Sequence, residues 1–276
     1  ILQLLIHLPF LIKKGIIHFR KSSVFFHPAL RKVGMLTMPS AVGASVYQLS
    51  LVIDTLIASF LHEGNISHLY YADRLVQFPM GIFAIAASIA ALPSLAKAAA
   101  RKDYKDLTQN FLFSSRLVIF IIFPAMTGLI ILREPIVSLL FQRGEFDFRS
   151  VRLTAEALLY YGVGLWAFSG VRITVSTFYA MQDTGTPFRV GIISLLAKVI
   201  MALAFVSPLG ISGLALSTSL ASVINLAILF RAIHVKLPGI RWSELSLSVS
   251  KSLAGTVFMA FGVWTAGIFI LPEIGA

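Results

Sequence analysis

The sequence has 276 residues, of which 57% are hydrophobic and 13% are charged, and its formal net charge is +11. A soluble domain carries about 25% charged residues. This chain therefore has too few polar side chains to cover a soluble globule, which excludes soluble enzymes and disordered proteins. The absence of cysteine from the sequence excludes disulfides and cysteine-based metal sites. The composition is that of a polytopic membrane protein.

The predicted elements are helices, because a membrane-spanning helix needs about 20 mostly apolar residues. Residues 1–12 are apolar but too short to span alone, and their lysines follow rather than precede them, unlike in a signal peptide. We expect them to be the end of a preceding helix or an interfacial segment, and the first residue, Ile1, to indicate a piece of a longer chain. Seven full spans are predicted at 33–61, 68–96, 108–132, 151–180, 188–206, 210–230 and 245–271.

The connections between these spans are unevenly charged. Of the 23 lysine and arginine residues, fourteen fall in connections on one side, four on the other side and five within spans. Cytoplasmic loops of membrane proteins are enriched in lysine and arginine, so the first group is predicted to be cytoplasmic. The positive charge thus follows from topology, and we expect no nucleic-acid partner. On the outer side, residues 133–150 are predicted to hold a short interfacial helix with a turn at Gly144.

Ionisable residues inside a span are costly and need a physical reason. Asp54, Arg74 and Lys198 lie on three different spans, each about 9–12 Å below the outer surface. Their similar depth predicts a shared polar interior. Arg116 and Lys251 lie near the cytoplasmic ends of their helices and can reach the headgroups. For Arg172, snorkelling and lining a cavity are both open.

Helical spacing places further polar residues beside these charges. Small and polar residues, including Tyr47 and Ser50, recur at intervals of three and four on the face of Asp54. Tyr70 and Gln77 share the face of Arg74, and Pro79 predicts a kink just beyond them. A hydrated cavity explains both stripes, and close helix packing is the alternative. The candidate cavity-lining residues are Tyr47, Ser50, Tyr70, Gln77 and Arg172.

Lys198 is flanked by apolar residues, so its ammonium needs an anion from another helix. Asp54 lies at matching depth, and we expect the two to pair across helices in at least one conformation. Their role is either a buried ion pair or a site of monovalent cation or proton coupling. The hydroxyls of the sixth span favour tight helix contact, with coordination of a cation near Asp54 as the weaker alternative. No cofactor and no tightly bound metal are expected.

The sequence contains no HExxH, GxxxxGK[ST] or GxSxG motif, and its histidines and paired acids lie in loops or at helix ends. We therefore expect a protein that is not an enzyme and that has no catalytic residues. The functional groups that the sequence provides are fixed positive charges inside a predicted membrane cavity. That chemistry suits the binding and movement of an anionic amphiphile.

Four segments together resemble one known family. They are YYADRLVQFPMGIFAIAASIAALPSL (70–95), LLFQRGEFD (139–147), FYAMQDTGTP (178–187) and GISGLALSTS (210–219). They are similar to the MurJ (MviN) family of lipid II flippases, which belongs to a larger group of exporters built from two six-helix lobes. The resemblance implies that 33–232 is the second lobe, 1–32 the end of a preceding helix with a cytoplasmic linker, and 233–276 a cytoplasmic loop with one further transmembrane helix.

The same resemblance implies a function in peptidoglycan biosynthesis. The expected activity is movement of undecaprenyl-pyrophosphate-linked precursor, lipid II, across the bacterial cytoplasmic (inner) membrane by alternating access. The resemblance assigns pyrophosphate binding to Arg74 of the ADR motif, with the N-terminal lobe of the same protein as a partner. Related exporters of drugs or of other polyprenyl-linked oligosaccharides, and a non-transporting scaffold, are the alternatives.

The sequence departs from the family pattern at two positions. Many relatives carry Glu where this chain has Gln77, and relatives often carry an uncharged polar residue near the position of Lys198. In the family, acidic and polar groups around the Asp54 region are associated with cation coupling. A built-in ammonium at Lys198 is therefore expected to take the place of a bound cation.

Overall fold

The computed structural model describes residues 9–10, 12–13, 28–61, 64–237 and 239–270. Residues 1–38 and 39–276 form two compact units, and the sites below belong to the second. The helices are α1 Pro28–Ser59, α2 Asn65–Pro79, a π-helical segment Met80–Ile85, α3 Ala86–Ala100, α4 Tyr104–Ile131, α5 Arg133–Phe141, α6 Phe148–Val163, α7 Leu165–Ala180, α8 Gly185–Leu209, α9 Ile211–Lys236 and α10 Trp242–Ile270.

The prediction of an all-α membrane helix bundle is confirmed, and the described residues contain no strand. Five helices are long and apolar enough to cross a membrane: Asn65–Ala100, Tyr104–Ile131, Gly185–Leu209, Ile211–Lys236 and Trp242–Val263. A sixth span is formed if α6 and α7 cross together. Within α1, Gln48–Ser59 is a shorter apolar helical stretch.

The fourth predicted span, 151–180, is broken rather than continuous. Helices α6 and α7 meet at Gly164 with a bend of 45°. A Cβ on Gly164 would lie 2.9 Å from the backbone Cα of Ser219, so α9 approaches this joint too closely for any larger residue. Ser219 Oγ also donates a hydrogen bond to Tyr160 O at 2.7 Å. The sequence analysis missed this break because it treated 151–180 as one span and gave no weight to Gly162 and Gly164.

The second span is also irregular, directly after Pro79. Proline has no backbone N–H and cannot continue the α-helical hydrogen-bond ladder. The chain follows Pro79 with the π-helical segment and then resumes as α3, so that 65–100 still forms one 36-residue candidate span. Where the sequence predicted a kink, the structure has a change of helix type, a feature often found near functional sites.

The core lies where α9 packs against α6, α7 and α8, with α4 beside α7 and α10 against α4. Large apolar side chains such as Phe111, Leu158, Ile173 and Leu229 are fully buried there. The short helix α5 and the left-handed turn at Gly144 (φ +57°) lie at the sequence positions predicted for them. Packing around the core holds α8 in place, and with it Lys198.

Candidate functional site

The structure brings Asp54 of α1 and Lys198 of α8 into contact. Lys198 Nζ lies 2.6 Å from Asp54 Oδ2, and each side chain is only 4% exposed. Moving two charges out of water is expensive unless they are paired and hydrogen-bonded. The contact therefore explains how both residues are tolerated within spans, as the matched depth of the two residues predicts.

Ser50 completes the surroundings of the Lys198 ammonium. It lies one helical turn before Asp54, on the same face of α1. Lys198 Nζ donates to the Ser50 side-chain Oγ and also to Ser50 O at 3.3 Å. The three donors of the ammonium thus meet three oxygen atoms. The second carboxylate oxygen, Asp54 Oδ1, is buried and has no hydrogen-bond partner within the described part of the chain.

Asp73 is a further member of this site that the sequence analysis missed. Its carboxylate interacts electrostatically with both Asp54 and Lys198. It accepts a hydrogen bond from the Gln77 side-chain nitrogen, Nε2, one turn later on α2. The available signal was an acid inside an apolar span, at almost the same depth as Asp54. The sequence analysis assigned a role to the adjacent Arg74 and none to Asp73.

Arg74 is exposed, unlike the buried pair of Asp54 and Lys198. Its Nη1 donates to Gln77 Oε1 at 3.2 Å, and its Cζ lies 4.7 Å from the centroid of the Tyr70 ring. Tyr70 is itself 53% exposed. Gln77 thus joins Asp73 to Arg74, because its amide donates to the first and accepts from the second. This bridge and the ring contact orient the guanidinium while leaving it accessible.

The other predicted cavity residues are placed as follows. The side chain of Tyr47 lies outside the described residues. Arg172 on α7 is exposed and interacts electrostatically with Tyr179, and its role in lining a cavity stays a prediction. Two cavities in the described part of the chain are lined by other residues and include none of the site residues above. The hydrated cavity around Arg74 likewise stays a prediction.

The hydroxyls of the predicted sixth span have local partners. Ser217 Oγ and Thr218 Oγ1 both donate to Leu214 O, at 2.7 and 3.0 Å. Ser222 Oγ donates to Thr218 O at 3.0 Å. A Cβ on Gly213 would collide with Phe205 O, which shows a close approach between α9 and α8. These contacts favour helix packing over cation coordination. Within the described ranges, no group of three His, Cys, Asp or Glu residues could hold a metal ion.

Comparison with known proteins gives a consistent family. The family model described as "Lipid II flippase MurJ" matches residues 1–273. A protein of Vibrio cholerae serotype O1 named "Probable lipid II flippase MurJ" is 37% identical over 236 residues, which cover 86% of this chain and 45% of that protein. The chain therefore spans about half the length of the curated relatives it matches.

Two solved structures share the fold. "Lipid II flippase MurJ, inward closed conformation" has a TM-score of 0.66 and 26% identity, covering 86% of this chain and 54% of the other. "Crystal structure of MATE in the bent conformation" has a TM-score of 0.65 but 14% identity, covering 74% and 45%, so its likeness is one of fold alone. On the family match, the identity to named relatives and the shared fold, this multi-pass membrane chain belongs to the lipid II flippase MurJ family.

Proposed function

We propose that this chain is the second lobe of a lipid II flippase, which moves undecaprenyl-pyrophosphate-linked peptidoglycan precursor across the bacterial cytoplasmic membrane by alternating access. The observation that carries the proposal is the accessible, oriented guanidinium of Arg74, which lies within a candidate span directly after Asp73, the carboxylate that interacts with the buried ion pair. A charge within a span is costly, and its presence there therefore points to a function. The proposed role is transport rather than catalysis.

Arginine suits a pyrophosphate because its planar fork of donors matches two phosphate oxygens at once. In this chain Gln77 accepts a hydrogen bond from Nη1 of the guanidinium, and Tyr70 lies against one face of it. Arginine has five N–H groups, so a guanidinium that contacts protein side chains can also bind a phosphate. We propose that Arg74 holds the pyrophosphate while the N-terminal lobe supplies further cations, so that the second lobe alone does not flip lipid.

The test uses the full-length protein with both lobes, reconstituted in vesicles that contain lipid II. Arg74→Ala should lower the flipping rate at least tenfold, and Arg74→Lys should recover only part of it because an ammonium cannot bind two oxygens in a fork. Arg101→Ala removes an exposed arginine at the end of α3 and is the matched control. Wild-type flipping by Arg74→Ala would refute the proposal.

The same variants separate the alternatives. An exporter of cationic drugs should keep its transport in Arg74→Ala, whereas a pyrophosphate flippase should not. A non-transporting scaffold should show no lipid II movement in the wild type and only stability effects in the variants. Measuring lipid II flipping and cationic dye efflux in the same vesicles distinguishes the three.

We further propose that Asp54 and Lys198 set the ion dependence of transport. The oxygens around the Lys198 ammonium, from Ser50 and Asp54, are the kind that would otherwise suit a monovalent cation or a proton. With the ammonium in that position, transport by the wild type should not require sodium. The corresponding variant is argued in the Discussion.

A further inference from the structure

A basic cavity lies where the start of α4 meets the segment that follows α9. Its volume is about 470 Å³. Three cationic side chains line it, and none of its described lining residues is acidic. These cations are Lys105 from α4, Lys236 from α9 and Arg241 from the following segment. The cavity is separate from Arg74 and from the ion pair, and the proposed transport does not use it.

The three cations keep hydrogen-bonding capacity for a ligand. Lys236 Nζ pairs with Asp183 at 2.5 Å and is still 41% exposed. Arg241 Nη1 pairs with Glu244 at 2.9 Å and is 70% exposed. Lys105 is also exposed. Since a lysine has three donors and an arginine five, each of the two paired side chains retains donors that can point into the cavity.

The remainder of the cavity combines apolar and uncharged polar side chains. Leu112 and Leu237 line it and are buried, and Thr108, Gln109 and the exposed Tyr104 add hydroxyl and amide groups. A wall of this kind beside clustered cations fits a molecule with a phosphate next to hydrocarbon. All three cations belong to the group that the charge asymmetry assigns to the cytoplasmic side, where anionic phospholipids attract basic clusters.

We infer that this cavity binds the phosphate headgroup of an anionic phospholipid of the cytoplasmic leaflet, such as phosphatidylglycerol. Its phosphate lies against Lys105, Lys236 and Arg241, and the start of its acyl chains lies against the leucines. Lys236 is then shared between the lipid phosphate and Asp183, which also caps α8 through Thr186 N at 3.0 Å. Lipid binding therefore bears on the contact that joins the end of α9 to the start of α8.

Lipid binding to the full-length protein in neutral detergent tests this inference, with phosphatidylglycerol and phosphatidylcholine as probes and native mass spectrometry as the readout. Each cation removed should weaken phosphatidylglycerol binding about fivefold, the value expected for one basic residue at a membrane surface. The double variant Lys105→Gln/Arg241→Gln should thus lose about 25-fold. Asp183→Asn releases Lys236 and should strengthen binding severalfold.

Lys97→Gln is the control, since it removes an exposed lysine near the end of α3 that does not line the cavity. It should leave phosphatidylglycerol affinity unchanged, and no variant should alter phosphatidylcholine affinity. Wild-type affinity in the double variant, an equal loss in Lys97→Gln, or a parallel loss of phosphatidylcholine would each overturn the inference. Displacement of phosphatidylglycerol by equimolar undecaprenyl pyrophosphate would also overturn it, by assigning the cavity to the transported lipid. None of these readouts depends on flipping.

Discussion

Lys198 and Asp54 face each other from α8 and α1, with Nζ and Oδ2 2.6 Å apart and both side chains almost fully buried. A pair of this kind contributes little net stability compared with apolar side chains of the same size. Its partners depend on each other, however, because either charge alone would be buried without compensation. Removing one partner should therefore cost more stability than replacing both, and this difference can be measured.

The first prediction concerns that dependence. Lys198→Met leaves the Asp54 carboxylate buried without a counter-ion and should destabilise the protein by about 3–5 kcal/mol. Asp54→Asn/Lys198→Met should recover most of the loss. Apparent melting temperatures in detergent, read by the monodisperse fraction after heating, measure both.

Lys251→Gln, at an exposed lysine of α10, is the control for removing a lysine from a span and should change little. If Lys198→Met melts at the wild-type temperature, the two side chains are not mutually dependent. Equal losses in the single and double variants would carry the same meaning.

The meeting of Asp54 and Lys198 could be predicted because depth in a membrane is readable from position along a helix. Each residue lies within a recognisable apolar run, and a fixed rise per residue converts its position into depth. Asp73 was missed although the same reasoning applied, because only Arg74 was considered in that part of the span. The structure shows that Gln77 contacts both residues, each with a different end of its amide.

The break at Gly164 shows where sequence pattern reaches its limit. Apolar runs report the length of a span but not its direction, and the local mark at this position is a pair of glycines, Gly162 and Gly164, which does not by itself specify a bend. What distinguishes Gly164 is the close approach of Ser219 from another helix, a tertiary contact about 55 residues away in sequence. By contrast, the turn at Gly144 was predictable because its signal is local.

The second prediction tests that contact. Gly164→Ala places a Cβ against the Ser219 backbone, which cannot move as a side chain can, and should destabilise the protein by about 1–3 kcal/mol. Gly128→Ala is the matched control, because a Cβ there meets nothing within 4 Å. In that helix interior, alanine should be neutral or stabilising by up to about 1 kcal/mol. Equal melting temperatures for the two variants would show that α9 can move away from the joint.

The third prediction concerns Gln77, the bridge between Asp73 and Arg74. Gln77→Glu replaces a neutral acceptor with a carboxylate, which can bind the guanidinium in a fork and compete with a phosphate. Binding of undecaprenyl pyrophosphate to the full-length protein should weaken about tenfold, a loss of about 1.4 kcal/mol. Gln142→Glu adds the same charge beyond the end of α5 and should have no effect. Unchanged affinity in Gln77→Glu would indicate that Arg74 does not contact the phosphate.

The fourth prediction concerns Asp183, in the connection before α8. Burial alone would raise the pKa of this carboxyl, but hydrogen bonds from Lys236 and Thr186 outweigh it and hold the pKa below its usual value. A depressed pKa means that the stabilisation is complete above the unfolded pKa of about 3.9 and is lost as the pH falls through the lower folded value. Asp183→Asn should therefore cost about 1 kcal/mol or less at both pH 7 and pH 5. The difference from wild type should shrink only below about pH 4. A difference that already vanishes at pH 5 would contradict the depressed pKa.

The fifth prediction addresses what the Lys198 ammonium does for transport. In the wild type this charge is covalently attached, and its ammonium contacts oxygens of Ser50 and Asp54, so it occupies the position that a sodium ion beside Asp54 Oδ2 would take. Lys198→Asn removes the charge and leaves a buried carboxylate, a serine oxygen and an added amide oxygen, all hard ligands that suit a small cation. Sodium in place of choline should therefore raise the melting temperature of Lys198→Asn, and a sodium gradient should stimulate its flipping of lipid II, with neither effect in the wild type.

Two variants separate a created cation site from a general effect of the substitution. Lys198→Leu fills the space with hydrocarbon and supplies no oxygen, and Asp54→Asn/Lys198→Asn supplies oxygens without a charge, so neither should respond to sodium. Imposed proton gradients in the same vesicles distinguish protonation of Asp54 from binding of sodium. Identical ion dependence in Lys198→Asn and the wild type would reject the built-in ammonium as the element that sets it. A response to sodium confined to Lys198→Asn would mean that one substitution on α8 replaces a covalently attached cation with a bound one. The residue at position 198 would then determine which ion drives transport in a member of this family.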